Sequence, residues 1–393
     1  MKKYSILLPL FCSFGSLWLA CSEKMSSDTD TAIEMIEDSG DIVEEDSGDI
    51  TEEDSGDIVE TVCSDEEYEE CIYPSPDYSP IEYDGYVFSH DNIPRTMASV
   101  IRYPSDATGA LPIVIVSHGG SLNDSGHTLM KEWGEQLAMH GYVVIHVAHS
   151  TFPEENLAQF CTVYEIPMEE CSLPTTNPSV VLKSLDAKVV MDTLPTLATW
   201  FADNTSITLD VDKVGSLGWS GGSQVPTTLS GAKRHVSPSV VVSIPDERLG
   251  AGVVLSPQGP GFSGYFDDET GTSMESVVRP LLIATGENDW KEGNPELLPA
   301  IRAQTYENLP SFDNHHRFLY SLLPIGTGGH GTYSLGDLES GDSTLVRYSL
   351  SLISAVRAHF DAHLQESESA TQYLNSEKPL VLAGQDLATW SKK

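Results

Sequence analysis

The chain has 393 residues, of which 40% are hydrophobic and 20% charged, and 59 acidic side chains stand against 21 basic ones. This hydrophobic fraction is enough to build a sizeable core. A formal charge of −38 without any basic patch argues against a nucleic-acid partner, because phosphate backbones are bound by clustered Lys and Arg. No apolar run reaches the roughly 18 residues that a membrane-spanning helix needs.

The amino-terminal segment, residues 1–21, has the pattern of an export signal. Two lysines precede the apolar stretch Ile6–Ala20, which is too short to cross a bilayer and ends in a small residue before Cys21. Leu19-Ala20-Cys21 resembles a bacterial lipoprotein processing box, although Trp18 stands where that box usually has Leu. Ordinary secretory cleavage nearby is the alternative. We expect Cys21 to be lipidated and to anchor an exported protein that faces the periplasm or the exterior.

An acidic low-complexity segment follows, from residue 22 to residue 78. It contains 22 of the 59 acidic side chains and one Lys. The octad EDSGDIVE occupies 37–44 and recurs at 45–52, with Thr51 for Val, and at 53–60. So few aliphatic side chains cannot bury a core, and like charges repel, so the pattern predicts an extended tether. Calcium binding is the alternative, but the ligand spacing of an EF-hand loop is absent.

Four cysteines remain if Cys12 leaves with the signal and Cys21 carries lipid. They form two close pairs, and in an exported protein close pairs favour disulfides. Zinc is the rival ligand, but there is no C-x-x-C and no His at ligand spacing beside either pair. The sequence therefore predicts no metal site and two disulfides, Cys63–Cys71 and Cys161–Cys171.

From about residue 80 the chain alternates short apolar runs with helical patterns. Leu111–Val116 is apolar on both faces, as in a covered parallel sheet. The alternation predicts an α/β fold with a doubly wound, mostly parallel sheet over 79–372, ligands at the carboxyl ends of its strands, and a tail at 373–393. Further strands are predicted at Thr96–Tyr103, Tyr142–Ala148, Val214–Leu217, Gly252–Leu255, Leu281–Ala284 and Phe318–Leu323, helices at His127–Met139, Val180–Phe201 and Thr344–Leu364, and a Pro-rich insertion at 151–178.

A candidate nucleophile follows one of these strands. Gly218-Trp219-Ser220-Gly221-Gly222 matches G-x-S-x-G and comes directly after Val214–Leu217. A serine on a tight strand-to-helix turn has a strained backbone, so its neighbours two residues away must be very small. The pentapeptide alone is moderate evidence in a Gly-rich chain, and its position after a buried strand strengthens it. We expect Ser220 to be a nucleophile.

Serine needs a base and an orienting acid to become reactive. Asp289 lies in a loop after the strand Leu281–Ala284, and His330 lies in a glycine-rich loop after Phe318–Leu323. The chain order Ser220, Asp289, His330 is that of the nucleophile-elbow hydrolases. The rival acids are Glu287 and Asp313, and the rival bases are His315 and His316, which stand at the start of a strand and so at the wrong end of the sheet.

An oxyanion formed at the nucleophile needs two backbone donors. Gly221, the residue after the nucleophile, supplies one in this interpretation. The other is expected in the loop after Val116, with Gly120 as the natural donor and Ser121 as the runner-up. His118 is expected to shape this loop rather than to transfer protons.

With these residues identified, the chain resembles the α/β-hydrolase superfamily over roughly residues 90–372. Within it, the chain looks most like the dienelactone-hydrolase-like group, which includes platelet-activating-factor acetylhydrolases and bacterial cutinase-like polyester hydrolases. Three features depart from the group: Gly221 replaces a larger residue, Pro226 lies early in the helix after the elbow, and 151–178 is inserted. The motifs that carry the resemblance are Ile115–Gly120, His140–Val144, Asp212–Gly215, Gly218–Gly222, Gly286–Asp289 and Gly329-His330.

The resemblance implies a serine carboxylic-ester hydrolase that works through an acyl-enzyme, on a small-molecule or polymeric ester, without metal or organic cofactor. Trp219 and Trp290 flank the site in sequence and are candidates for an aromatic platform, with structural packing as the alternative. A peptidase or an acyltransferase on the same triad is the first rival. A surface lipoprotein that binds without turnover is the second.

Overall fold

A nine-stranded mixed sheet organises the part of the chain that the computed structural model describes, which is residues 63–90, 95–268, 271–290, 296–311, 318–322, 329–384 and 388–393. The predicted signal with Cys21, the acidic octads, and the rivals Asp313, His315 and His316 lie outside the described residues.

In chain order the strands of this sheet are β1 (Pro80–Ser89), β2 (Thr96–Pro104), β3 (Ala110–Ser117), β4 (Val143–Val147), β5 (Thr208–Trp219), β6 (Leu249–Leu255), β7 (Leu281–Gly286), β8 (Phe318–Leu322) and β9 (Ala388–Lys392). Their order across the sheet is β1-β2-β4-β3-β5-β6-β7-β8-β9. All neighbours from β4 to β8 are parallel, whereas β1–β2, β2–β4 and β8–β9 are antiparallel. The predicted α/β class is confirmed, and the mostly parallel sheet is compatible with double winding.

Helices cover both faces of the sheet. The helices are α1 (Lys131–His140), α2 (Leu157–Val163), α3 (Met168–Cys171), α4 (Ser179–Asn204), α5 (Gln224–Leu229), α6 (Pro299–Glu307), α7 (Ser343–Leu364), α8 (Glu368–Asn375) and α9 (Lys378–Ala383). Two short antiparallel pairs, Arg234–His235 with Val241–Val242 and Asp267–Asp268 with Gly271–Thr272, lie outside the main sheet. Pro226 lies in α5, which has six residues, and Pro195 lies within α4.

The side chains of β3 alternate between two cores. Val114 and Val116 pack with α1 and α7, whereas Ile113 and Ile115 pack with α4 and α5. Both sets are fully or almost fully buried, and burying such a side chain stabilises a fold by about 1.5–3 kcal/mol. The run that is apolar on both faces is therefore explained by helices on both sides.

The folded unit extends beyond both boundaries that the sequence predicted. Both predicted disulfides are present, and Cys63–Cys71 packs with Val381 and Leu382 of α9. Tyr73 is buried and donates a hydrogen bond to Asp361 of α7 at 2.9 Å. The tether boundary at 78 and the tail boundary at 373 are corrected accordingly, because 63–78 and the described residues after 373 bury apolar side chains on the body.

Across the described ranges, the structure contains no helix with both the length and the apolar character that crossing a membrane requires.

Candidate active site

Ser220 begins a tight turn, Ser220–Gly222, directly after β5. Its φ is 52°, a left-handed backbone conformation that costs a non-glycine residue about 1–3 kcal/mol. A Cβ at Gly218 would collide with the Gly222 carbonyl, and one at Gly222 would collide with the Ser117 carbonyl. The G-x-S-x-G spacing therefore has the steric cause that the sequence predicted.

The structure brings Ser220, His330 and Asp289 into one hydrogen-bonded chain. Ser220 Oγ lies 2.8 Å from His330 Nε2, and His330 Nδ1 lies 2.7 Å from Asp289 Oδ1. Asp289 is 1% exposed and Ser220 6%, while the rival acid Glu287 is exposed. Parallel strands β5 and β7 end at the same edge of the sheet, and this is why residues 69 positions apart can meet a common histidine.

The carboxylate of Asp289 is held by residues that the sequence analysis missed. Thr285 Oγ1 donates to Asp289 Oδ2 at 2.9 Å, and Ser256 Oγ donates to Asp289 Oδ1 at 2.7 Å. Ser256 Oγ also lies 2.7 Å from His330 Nδ1. Ser256 directly follows β6, which lies between β5 and β7, so its position at a strand end was the available signal.

Arg302 of α6 binds backbone carbonyls around Asp289 and Ser256. Its Nε donates to the carbonyl oxygen of Asp289 at 2.8 Å, and its Nη1 donates to the carbonyls of Ser256 and Pro257 at 3.0 and 2.7 Å. The side chain is buried. No motif in the sequence indicates this arginine, because it reaches the site from a helix and not from the end of a strand.

The two flanking tryptophans differ in their surroundings. Trp219 Nε1 donates to the carbonyl of His330 at 3.0 Å, and the two rings lie 5.2 Å apart. Trp219 thus packs against the histidine loop, as the packing alternative expected. Trp290 is 58% exposed beside Asp289 and is accessible to a substrate.

The loop after β3 lies against the turn of Ser220. A Cβ at Gly221 would collide with the Gly120 carbonyl and lie 3.1 Å from the Gly120 nitrogen. Gly120 itself has a φ of 75°. The two predicted oxyanion donors are therefore neighbours, and a residue with a side chain at position 221 would not fit this arrangement.

A groove of about 510 Å³ opens beside this loop. It begins at Ser121 and continues into the insertion at 151–178, whose helices α2 and α3 are joined by Cys161–Cys171. Apolar side chains line much of it: Leu122, Phe152, Leu157 and Leu173. The insertion thus shapes the surface next to the candidate site.

A second Ser–His–Asp arrangement lies buried nearby. His149 Nε2 is 3.0 Å from Ser117 Oγ, and His149 Nδ1 is 2.9 Å from Asp186 Oδ2. All three residues are fully buried, so no substrate can reach the Ser117 hydroxyl. Asp186 also accepts from Arg95 and from His90, so this group is a polar cluster inside the fold.

Among the residues described, no group of three or more His, Cys, Asp or Glu side chains could hold a metal ion.

Comparison with known proteins adds no identification. No protein-family model matches the chain, and no curated protein matches its sequence.

Proposed function

We propose that this protein is a serine hydrolase of the α/β-hydrolase fold that cleaves carboxylic esters. The observation that carries the proposal is the hydrogen-bonded chain Ser220–His330–Asp289 at the carboxyl edge of the parallel strands. The strand order, with a nucleophile turn after β5 and the acid after β7, supports the same assignment.

In the proposed first step, Ser220 Oγ attacks the ester carbonyl carbon while His330 takes the hydroxyl proton. The carbonyl electron pair moves onto the oxygen, and amides of Gly221 and of the loop at Gly120 stabilise the oxyanion. Asp289 orients the ring and stabilises the imidazolium. When the intermediate collapses, the alcohol leaves with the proton from His330 and an acyl-enzyme remains.

In the proposed second step, water replaces the alcohol. His330 takes a proton from the water as its oxygen attacks the acyl carbon, and the Ser220 oxygen then leaves and recovers that proton. The products are the acid and free enzyme, and this cycle assigns no step to a cofactor. The export signal and the lipid anchor at Cys21 remain predictions of the sequence, and so do the small-molecule or polymeric nature of the ester and the absence of a nucleic-acid partner.

Hydrolysis of p-nitrophenyl acetate, butyrate and octanoate by the wild-type chain and by Ser220→Ala tests the proposal. We expect wild-type turnover and a loss of at least 10³-fold in kcat for the variant, since removing a triad member costs several orders of magnitude. Ser349→Ala, which removes a buried hydroxyl from α7, is the matched control and should retain activity.

Other outcomes separate the rivals. Equal cleavage of the matching p-nitroanilides would indicate a peptidase, and acyl transfer to an added alcohol in preference to water would indicate an acyltransferase. Folded wild-type protein without turnover on any ester would contradict the hydrolase proposal and favour a binding lipoprotein.

A further inference from the structure

Lys183 of α4 lies directly beneath the loop that follows β3. Its side chain is completely buried, and its Nζ donates to the carbonyl oxygens of His118 and Gly120, each at 2.9 Å. A buried amine is costly unless it is hydrogen-bonded. An apolar residue would fill this core position at lower cost, so the contacts to the loop require an explanation.

The carbonyl between these two, that of Gly119, lies against the His118 ring. His118 Nδ1 lies 2.8 Å from the Gly119 oxygen, while its Nε2 lies 2.6 Å from the Ala148 oxygen. Burial lowers the pKa of His118 to about 3, with Lys183 adding to the effect. The ring is therefore neutral and donates through one nitrogen at a time.

Three successive carbonyls of the loop thus face Lys183 and His118. Because a peptide unit is planar and trans, fixing each C=O fixes the N–H of the next residue in the opposite direction. The two Lys183 contacts fix the amides of Gly119 and Ser121 in this way, and the tautomer of His118 with its proton on Nδ1 fixes that of Gly120. Both candidate donors of the loop, Gly120 and Ser121, are among them.

The acidic residue that follows Lys183 on α4 pairs with other groups. Asp186 lies one turn further along α4, but its carboxylate is taken up by Arg95, His90 and His149. Burial lowers the pKa of Lys183 to about 7, and the Asp186 charge opposes that shift. The hydrogen bonds of the Lys183 amine are therefore those to the His118 and Gly120 carbonyls of the loop.

We propose that Lys183 is a positioning residue of the oxyanion hole, which holds the His118–Ser121 loop so that its amides face the oxyanion formed at Ser220. This inference rests on the proposed ester hydrolysis. Lys183 contacts the loop rather than the substrate, so its loss should weaken transition-state stabilisation more than substrate binding.

The test compares Lys183→Met, Lys183→Arg and Lys188→Met in the full-length chain. Two quantities are measured: kcat and KM for p-nitrophenyl butyrate, and the inhibition constant of an alkyl trifluoromethyl ketone, which adds to a nucleophilic serine to give an oxyanion. Losing one oxyanion donor outright costs about 10²–10³-fold, whereas Lys183→Met leaves the donors in place but less firmly held, so we expect it to lower kcat by less, about 30-fold. KM should change less than threefold, and the ketone should bind more weakly by the same factor as kcat.

The other variants separate positioning from folding. Lys183→Arg keeps the charge, but its larger planar group cannot occupy the same place between two carbonyls, so it should show a parallel, smaller loss in kcat and ketone affinity. Lys188, on the same helix, pairs with Asp246 at 2.7 Å and is partly exposed, so Lys188→Met should match the wild type.

Active wild type with unchanged kcat and ketone affinity in Lys183→Met would overturn the inference alone. If Lys183→Met does not fold, wild-type values in Lys183→Arg would overturn it equally. Wild-type protein that neither hydrolyses esters nor reacts with a fluorophosphonate would overturn the proposed function, and this inference would fall with it.

Discussion

Asp289, Ser256 and His330 form a triangle of mutual contacts in which each pair of polar atoms lies 2.7 Å apart. The Ser256 hydroxyl donates a hydrogen bond to the Asp289 carboxylate and contacts Nδ1 of the His330 ring. It therefore restricts where the ring can turn. A positioning effect of this kind changes the fraction of molecules in the reactive arrangement and leaves substrate contacts untouched.

We expect Ser256→Ala to lower kcat about tenfold with KM nearly unchanged, because Asp289 loses one of its donors and keeps Thr285 and His330. Steady-state kinetics on a p-nitrophenyl ester would measure both constants. Thr285→Val is the companion variant, since it removes the donor to the other carboxylate oxygen. A Ser256→Ala variant with wild-type kcat would show that the triangle has no role in orienting the ring.

The sequence could identify Ser220, Asp289 and His330 because each follows an apolar run, and parallel strands place their carboxyl ends together. It could not identify Arg302 or Lys183, since both act on backbone carbonyls from helices distant in the chain. A backbone carbonyl accepts a hydrogen bond whatever side chain its residue carries, so these contacts leave no motif in the sequence. The three residues of the hydrogen-bonded chain were therefore predictable, and the residues that hold them were not.

The insertion at 151–178 forms one wall of the groove beside Ser121, and the Cys161–Cys171 disulfide joins its two short helices. Helices of seven and four residues are not stable by themselves. Their arrangement depends on the disulfide and on packing of Phe160 and Ile166 against α4. The shape of this wall should therefore respond to loss of the disulfide more than the sheet does.

Removing this disulfide by Cys161→Ala/Cys171→Ala should reduce activity on octanoate esters at least fivefold relative to acetate esters, because a long acyl or alcohol group needs the groove and acetate does not. A disulfide closing a loop of this length stabilises by about 2–3 kcal/mol in the chain-entropy description. The ratio of kcat/KM for the two esters is the measurement. Cys63→Ala/Cys71→Ala removes a disulfide with a similar loop length that packs on α9 and does not line the groove. It should leave that ratio unchanged, and an equal change in both double variants would contradict the assignment.

The ends of the folded unit show why composition misplaced the boundaries. Residues 65–70 are mostly acidic and read as tether, yet Arg347 contacts Asp65 and lies over the Tyr68 ring. Cys71 and Tyr73 are buried next to them. The charge of such a segment is an average over all its residues, whereas its packing on the folded body depends on a few apolar and aromatic side chains.

At the scale of the whole molecule, several buried bases among the described residues have lowered pKa values. Burial lowers the pKa of His118 and His146 to about 3 and that of His149 to about 4. Burial also takes the pKa of His359 well below its usual value and that of Lys183 to about 7. In the unfolded chain these groups titrate near their ordinary values, about 6.5 for His and 10.4 for Lys.

Stability should therefore fall as pH falls. Between about pH 10 and 7 the unfolded chain binds more protons than the folded chain at the lysine. Between about pH 6.5 and 4 it binds more protons than the folded chain at the histidines. The free energy of unfolding therefore decreases across both windows as pH falls. Each group contributes about 1.4 kcal/mol per pH unit within its window. Urea midpoints at pH 8, 6.5, 5 and 4 would measure the decline. His146→Gln should make the acidic part of the profile less steep, and a midpoint that is constant from pH 6.5 to 4 would contradict the prediction.

The buried Ser117–His149–Asp186 cluster has a consequence for how enzymes are recognised by geometry. A template that searches coordinates for a serine, a histidine and an aspartate at hydrogen-bond distances would return two hits from this molecule. The interatomic separations of the two sets differ by only a few tenths of an ångström. What distinguishes them is the left-handed turn at Ser220, which is 6% exposed beside a partly exposed His330, whereas all three residues of the Ser117 cluster are fully enclosed. A geometric search for hydrolases is therefore more selective when it scores solvent access and backbone conformation as well as distance.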